Sequence, residues 1–358
     1  MSALSTREHS ALLAIALFTA LAGVADYGTW APVPRFAIAT VALAGLAWVV
    51  SFATEQLGER FGAGVTGMLQ STLGNLPELF VVIFALQKGE LIVAQTAIVG
   101  SILANALLVL GLVIVVGAHR APDGVMRFSK RLPKDTATLL IVTVFIIVLL
   151  GLSFSAHDPA SHHVKTISIV GAICLLVVYA TWVVPYLRSD VAPGSAERAD
   201  PAPRGPRLSL RLTLTLLFVA GTASAFVSDW FVNALAPAIV QLHISQAFAG
   251  LVIVAIAGNA VENTAGLVLA WKGRSDLAIS VVKNSVAQIA AFLFPLLVLV
   301  SFALATTLTF ALAPVYIGAL ALTALALAQI TGDGEAAAFE GWALVALYVI
   351  LGTLTLYE

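Results

Sequence analysis

Residues 74–78 read GNLPE, and residues 258–262 read GNAVE. The same offset of 184 residues also aligns a Lys-Gly pair at 88–89 with another at 272–273. Both five-residue stretches lie inside long apolar runs, and the second occurs five predicted membrane spans after the first. Because five is an odd number, the two copies would enter a membrane from opposite sides. Such an inverted repeat is typical of secondary transporters with a site near the membrane midplane.

The composition is that of a membrane protein. Of the 358 residues, 60% are hydrophobic and 10% are charged, and the mean hydropathy is +1.01. Soluble domains carry about 25% charged residues, so a soluble globular protein is excluded. The net charge of −1 gives no sign of a nucleic-acid partner. A single cysteine, Cys174, excludes a disulfide framework and a thiolate metal cluster.

Eleven apolar runs are long enough for a transmembrane helix, which needs about 20 residues. They cover residues 10–28, 35–53, 63–87, 92–117, 136–154, 165–187, 209–229, 247–271, 277–300, 305–329 and 341–357. The sequence therefore predicts an all-α polytopic membrane protein. Its predicted parts are an extra N-terminal helix in residues 1–34, a five-helix repeat in 35–187, a linker in 188–208 and a second, inverted five-helix repeat in 209–358.

The basic residues predict the orientation. Fourteen Lys and Arg residues fall on the N-terminal side of the predicted spans, and three fall on the opposite side. Positive charge accumulates in cytoplasmic loops. We therefore expect the N-terminus in the cytoplasm and, after eleven spans, the C-terminus outside, in a prokaryotic inner or plasma membrane. The segment 188–208 is rich in Pro, Ala, Gly and charge, which is typical of a flexible linker.

Glu78 and Glu262 are the candidate cation- and proton-binding residues. A carboxylate inside an apolar span costs a few kcal/mol, about 2.5–3.5 on translocon scales, and usually marks a functional site. Two protonated glutamates at helix contacts are the alternative, but a pair related by a repeat favours a site. Asn75 and Asn259 precede them by three residues and share their helix faces. Carboxylate and amide oxygens are hard ligands that suit Ca²⁺ and could also hold Na⁺.

Further polar residues lie in the spans that follow each glutamate. Ser101 and Asn105 share one face of the first of these spans, and Ser285 and Gln288 share one face of the second. They are predicted site residues, with simple hydrogen bonding between helices as the alternative. Lys283 lies about 200° around the helix from Ser285, at 100° per residue. We expect it to extend to the cytoplasmic interface rather than into the site.

Residues 54–111 and 247–300, which contain both GNxxE stretches, resemble the two signature regions of Ca²⁺/proton antiporters of the cation/Ca²⁺ exchanger superfamily. The segment 331–341, TGDGEAAAFEG, is similar to the closing loop of that branch. The resemblance implies a pseudo-twofold fold with one central site. Carried over by position, that site contains both glutamates and both asparagines, with Ser101, Asn105, Ser285 and Gln288 beside them.

Three departures from the family pattern concern selectivity and regulation. The family often has His after the second glutamate, where this chain has Asn263. Its second Gly-Ser-Ser motif reads Asn284-Ser285-Val286 here, after Lys283. The linker, which is usually acidic in the family, is basic here. The first two departures affect ion selectivity, and the third suggests that regulation through an acidic linker is absent.

We expect a secondary active transporter that exports Ca²⁺ in exchange for protons by alternating access. Na⁺/H⁺ or K⁺/H⁺ antiport through the same site is the nearest alternative, and an uncoupled pore is another. An enzyme has no metal triad or nucleophile motif to support it. No cofactor is expected beyond the transported ions, and the expected partners are Ca²⁺, protons and the lipid bilayer.

Overall fold

The computed structural model describes residues 4–58, 73–129, 131–189 and 207–358, without the side chains of residues 131–133, 186–189 and 261–262. Most of these residues are helical. The helices are α1 (Thr6–Tyr27), α2 (Pro32–Gly58), α3 (Leu76–Gln87), α4 (Leu91–Leu103), α5 (Leu110–Arg120), α6 (Arg131–Ala156), α7 (Val164–Ser189), α8 (Leu210–Leu242), α9 (Gln246–Phe248), α10 (Ala255–Gly258), α11 (Ala260–Trp271), α12 (Ser275–Gln288), α13 (Phe294–Ser301), α14 (Pro314–Thr331) and α15 (Ala338–Leu356).

Three short π-helical segments interrupt these helices, and one 3₁₀ helix precedes α7. The π segments are Ala104–Val109, Ala249–Val254 and Ile289–Leu293, and the 3₁₀ helix is Pro159–His163. Single π turns inside α-helices are rare and occur often at functional sites. Two of the three π segments involve predicted site residues. Asn105 lies within Ala104–Val109, and Gln288 directly precedes Ile289–Leu293.

The membrane-spanning prediction can be compared with helix lengths. Within the described ranges, nine helices are long and apolar enough to cross a membrane, and the bent pair Gln246–Gly258 and Asn263–Trp271 makes a tenth if it is one span. These ten coincide with ten of the eleven predicted spans. Of the remaining predicted span, 63–87, the structure describes only residues 73–87, which contain α3. The polytopic helical fold is confirmed, and the count of eleven stays a prediction.

Local structure recurs between the halves at the same offset of 184 residues. Helices α3 and α11 begin and end at equivalent positions, α4 and α12 begin at equivalent positions, and so do α5 and α13. Asn75 and Asn259 each occupy a turn before a helix. Gly89 and Gly273 both have positive φ, at 82° and 74°, a conformation that Gly adopts at little cost. The opposite orientation of the two halves stays a prediction.

The chain forms two compact units. One contains Met1–Phe84 with Ala180–His243, and the other contains Ala85–Tyr179 with Ile244–Glu358. In the first unit, α2 packs along α8, with the rings of Phe36 and Phe231 5.0 Å apart. The predicted five-helix repeat boundaries at residues 35, 187, 209 and 358 describe sequence relationships, and they remain predictions.

In the second unit, α5 packs against α15 at two facing glycines. A Cβ on Gly111 would lie 2.6 Å from the Gly341 carbonyl oxygen, which only the absence of side chains allows. Next to this contact, β1 (Val125–Arg127) pairs antiparallel with β2 (Glu335–Ala337), with Met126 opposite Ala336. The sequence did not predict this small sheet. It joins the loop after α5 to the residues just before α15.

Candidate cation-binding site

Each predicted glutamate is the third residue of a helix that begins directly after an asparagine. Glu78 lies in the first turn of α3, after Asn75, and Glu262 lies at the equivalent position of α11, after Asn259. The N-terminus of a helix carries partial positive charge that stabilises a carboxylate within its first turn. Both glutamate positions therefore lie in the first turn of a helix, where the helix dipole offsets part of the cost of a carboxylate, a feature that residue spacing alone did not reveal.

The breaks before these helices have local causes. Pro77 has no N–H, so it cannot donate to the carbonyl four residues earlier, and its fixed φ suits the first turn of α3. Asn259 has φ −95° and ψ 16°, outside regular helical values, and the helices on either side of it bend by 56°. The carbonyls of Asn75 and Asn259 still accept hydrogen bonds from the N–H groups of residues 79 and 263, each at 3.0 Å. The carbonyl of residue 73 lacks its helical donor because Pro77 has no N–H, and such a carbonyl can bind a cation beside the side chains.

Asn105, Asn259 and Ser101 form a hydrogen-bonded cluster in the second unit. Asn105 Nδ2 donates to Asn259 Oδ1 at 2.7 Å, and Asn259 Nδ2 donates to Ser101 Oγ at 3.0 Å. The same two amides also donate to backbone carbonyls of their own helices, at 3.0 Å and 2.8 Å. All three side chains are buried. Oδ1 of Asn105 has no hydrogen-bond partner among the described residues, so one acceptor oxygen remains available for a ligand.

Two glycines allow the helices of this cluster to approach so closely. A Cβ on Gly100 would lie 2.5 Å from the Cα of Leu251, and a Cβ on Gly250 would meet the hydroxyl of Thr96. Larger residues would separate α4 from the π segment Ala249–Val254. The crossing therefore depends on glycine at both positions, and it brings Ser101 and Asn105 to Asn259.

Ser285 and Gln288 are both buried in α12. Ser285 Oγ has no partner within the part of the chain that the structure describes, whereas Gln288 hydrogen-bonds to the Tyr179 hydroxyl. The sequence did not single out Tyr179, because an isolated tyrosine in an apolar span is common. Two threonines of α6 bond to the backbone nearby: Thr136 Oγ1 donates to the Lys283 carbonyl in α12 and Thr143 Oγ1 to the Ala290 carbonyl in the following π segment, each at 3.3 Å.

Asn75 and Glu78 belong to the first unit. Both are buried, with exposed fractions of 5% and 4%. Ser228 Oγ lies 3.5 Å from the Pro77 carbonyl oxygen and donates to it, so α8 packs against the start of α3. That these two residues share one cation site with the Asn105, Asn259 and Ser101 cluster remains a prediction. The Glu262 side chain lies outside the described part of the chain.

Lys283 does not behave as predicted. The prediction that Lys283 extends to the cytoplasmic interface is wrong, because its side chain is 0% exposed. Its Nζ instead donates to Thr331 Oγ1 at 2.9 Å, at the end of α14. The partner is 48 residues away in sequence, so helix geometry could not identify it.

Comparison with known proteins decides the family. Residues 32–186 and 212–357 match the sodium/calcium exchanger protein family. The chain belongs to that family. Its members are ion transporters rather than enzymes, and the resemblance to Ca²⁺/proton antiporters of the cation/Ca²⁺ exchanger superfamily is confirmed.

Similar proteins cover nearly the whole chain. A Ca²⁺/H⁺ antiporter of Aphanothece halophytica is 27% identical over 96% of both chains. A vacuolar calcium ion transporter of Schizosaccharomyces pombe is 30% identical over 94% of this chain and 82% of its own length. The solved structure of native YfkE superposes with a TM-score of 0.80 at 26% identity, covering 97% of this chain and 100% of YfkE.

Proposed function

We propose that this transporter exchanges Ca²⁺ for protons, carrying Ca²⁺ out of the cytoplasm as protons enter. The observation that carries the proposal is the pair of glutamates, Glu78 and Glu262, each at the third position of a helix that follows a buried or unwound asparagine turn. Relatives named as Ca²⁺/H⁺ antiporter and calcium ion transporter support calcium as the cargo. These names do not favour Na⁺/H⁺ or K⁺/H⁺ antiport.

Charge balance explains why such a pair would exchange rather than leak. Two carboxylates are neutralised by one Ca²⁺ or by two protons, so both loaded states are close to neutral. The empty, doubly ionised site would be costly to enclose in a medium of low dielectric constant. A protein that reorients only when loaded alternates access between the two sides. Protons and Ca²⁺ compete for the same oxygens, so apparent Ca²⁺ affinity should fall as the pH falls.

The other proposed site residues supply neutral oxygens. They are Asn75, Asn259, Ser101, Asn105, Ser285 and Gln288, with Glu78 and Glu262 as the charged metal ligands. Calcium accepts six to eight oxygens in flexible geometry, which fits a mixture of carboxylate, amide and hydroxyl groups with carbonyls from the unwound turns. We also propose that the N-terminus is cytoplasmic and the C-terminus lies outside, as the distribution of basic residues indicates.

Flux measurements on purified protein in liposomes test the proposal. With an imposed pH gradient, ⁴⁵Ca²⁺ uptake should exceed ²²Na⁺ uptake and should collapse when the gradient is dissipated. Glu78→Gln and Glu262→Gln should each abolish exchange, because removal of one partner from a buried charge costs about 3–5 kcal/mol. That corresponds to roughly a hundredfold or greater loss of Ca²⁺ affinity.

Glu335→Gln is the matched control, since Glu335 is an exposed glutamate in an ion pair with Arg127, and it should retain exchange. Near-normal Ca²⁺ exchange in either site variant would reject the paired-carboxylate mechanism. Dominant Na⁺ flux in the wild type would instead assign the site to a monovalent cation.

A further inference from the structure

An apolar groove lies between α1 and α2 in the first unit. Its volume is about 460 Å³, within the range of about 300–1,000 Å³ that is usual for small-molecule sites. Its floor is a close helix contact, since a Cβ on Gly45 would lie 2.8 Å from Ile15 Cγ1. Small residues such as Ala11 and Ala14 leave the groove open on the α1 side, and Trp48 borders it on α2. The groove therefore has room for a narrow apolar group.

The half of α1 beside the groove is less buried than the other half. The buried residues of α1 all lie near its end, and they are Ala22, Gly23 and Ala25. At its start, α1 is attached through an ion pair between Glu8 and Arg207, 2.8 Å long. The backbone N–H of Arg207 donates to Gln56 Oε1 in the last turn of α2 at 3.1 Å. The starts of α1 and α8 and the end of α2 therefore meet at one membrane surface.

Arg7 lies on the same face of α1 as the groove. At 100° per residue, it is within about 40° of Ala11, Ala14 and Phe18, which line the groove, and it is exposed. A rise of 1.5 Å per residue puts Phe18 about 16 Å deeper than Arg7, which is about half of the 30 Å hydrocarbon core. A charge at the surface is thus followed by an apolar groove that reaches the midplane, which is the depth of one lipid leaflet.

The surface end of the groove has an excess of positive charge. Among the described residues near the helix ends that meet there, Arg7, Arg207 and Arg211 are exposed, against the acidic residues Glu8 and Glu55. Basic residues at a membrane surface attract anionic phospholipids, at about fivefold in affinity for each Lys or Arg. Arg207 is paired with Glu8, so Arg7 is the basic group best placed to meet a headgroup over the groove.

A helix of a second copy fits this groove less well than a lipid chain. An α-helix with its side chains is about 10–12 Å across, so one turn fills roughly 400–600 Å³. The whole groove would hold about one such turn. A membrane-spanning helix would also continue through both leaflets, whereas the groove ends at the depth of Phe18. An acyl chain is narrow and ends near the midplane.

We propose that this groove binds one acyl chain of an anionic phospholipid whose phosphate lies at Arg7. The bound chain packs over Gly45 and holds the first half of α1 against α2. Lipid tails already lie in an apolar medium, so the groove contributes packing rather than hydrophobic transfer. The basic end contributes the preference for an anionic headgroup. The inference does not depend on which cation the protein carries.

Tryptophan quenching tests the position of the chain. The protein has six tryptophans, and a variant that retains only Trp48, with phenylalanine at the other five positions, reports on the groove. In mixed micelles of detergent and phosphatidylcholine, phosphatidylglycerol with brominated chains should quench Trp48 fluorescence along a saturable curve. Phosphatidylcholine with brominated chains should give only a gradual decrease without saturation.

Two substitutions address the two ends of the lipid. Arg7→Gln should raise the half-quenching concentration of phosphatidylglycerol roughly fivefold, the effect of one basic residue. Ala14→Phe fills the groove and should abolish saturable quenching. Ala16→Phe is its matched control, since Ala16 is exposed and lies about 200° around α1 from Ala14. Lys165→Gln is the control for charge, since Lys165 is exposed at the start of α7. Neither control should change the half-quenching concentration.

Melting temperatures of the chain with all its tryptophans provide a second measurement. Phosphatidylglycerol should raise the melting temperature above its value in phosphatidylcholine alone. This rise should shrink in Arg7→Gln and disappear in Ala14→Phe. Without phosphatidylglycerol, Ala14→Phe should melt at the same temperature or higher, because the new ring fills the groove, and this result separates loss of the lipid from loss of the fold.

Three results would overturn the inference. Equal saturable quenching by the two lipids, or an unchanged half-quenching concentration in Arg7→Gln, would show that the headgroup does not contact the basic end. Light scattering on the same samples addresses the second copy: a changed oligomeric mass in Ala14→Phe, with unchanged phosphatidylglycerol affinity, would assign the groove to an interface between copies. None of these measurements uses ion flux, so the proposed exchange can fail or hold independently of them.

Discussion

The bond between Asn105 and Asn259 gives a quantitative test of the site geometry. Its donor and acceptor atoms are 2.7 Å apart, and both side chains are fully buried. Hydrogen bonds between membrane helices average about 0.6 kcal/mol and reach about 1.7 kcal/mol. A short, buried amide pair belongs in the upper part of that range. We therefore expect a coupling free energy of about 1–1.7 kcal/mol between these residues.

A double-mutant cycle measures this coupling. Asn105→Ala, Asn259→Ala and the double variant are unfolded at equilibrium in mixed micelles and followed by tryptophan fluorescence. Asn259→Ala also removes the bonds to Ser101 Oγ and the Ala255 carbonyl, so it should destabilise the protein by about 2 kcal/mol, more than Asn105→Ala. The double variant should be less destabilised than the sum of the two single variants.

A second cycle provides the control. Thr353 is exposed on α15 and donates to its own helix at Val349, so Thr353→Ala combined with Asn259→Ala should be additive within about 0.5 kcal/mol. Additivity of the same size between Asn105 and Asn259 would refute the bond and the crossing of α4 over the Ala249–Val254 segment that places it.

Two further predictions concern Lys283 and the orientation of the chain. Lys283→Met should leave the ratio of Ca²⁺ to Na⁺ affinity unchanged, because its Nζ donates to Thr331. A severalfold rise in Ca²⁺ affinity relative to Na⁺ affinity would instead show that the lysine charge acts on the cation site. After Cys174→Ser, a cysteine at exposed Asp333 should react with an impermeant reagent only from the cytoplasm, and one at exposed His162 only from outside. Labelling of Asp333→Cys from outside would overturn the predicted topology.

Hydropathy and the repeated GNxxE stretch were sufficient to predict most of the helices and the candidate site residues. Helix length follows from apolar runs, and the weakened turns follow from Gly74 and Pro77 in the first half and from Gly258 in the second. The sheet of β1 and β2 could not be predicted in this way. Its strands have three residues each and lie about two hundred residues apart, so tertiary contacts rather than local propensity pair them.

Partners that are distant in sequence were also beyond prediction. Asn105 and Asn259 were both expected at the site, but their direct bond joins residues 154 positions apart. The burial of Lys283 depends on Thr331, and the position of Gln288 involves Tyr179. Helix periodicity gives the direction of a side chain from its own axis. It does not give the group that meets the side chain there.

The position of the two glutamates at helix starts bears on how Ca²⁺ and protons would be coupled. Glu78 and Glu262 follow turns at helix N-termini, where the helix dipole favours the ionised carboxylate that must release protons and accept a cation. The amides of Asn75 and Asn259 beside them cannot take up those protons, so they can bind the cation without changing how many protons return. Substitutions at the glutamates should therefore alter the coupling of Ca²⁺ to protons, whereas substitutions at these asparagines should weaken cation binding and leave the proton-to-calcium ratio unchanged.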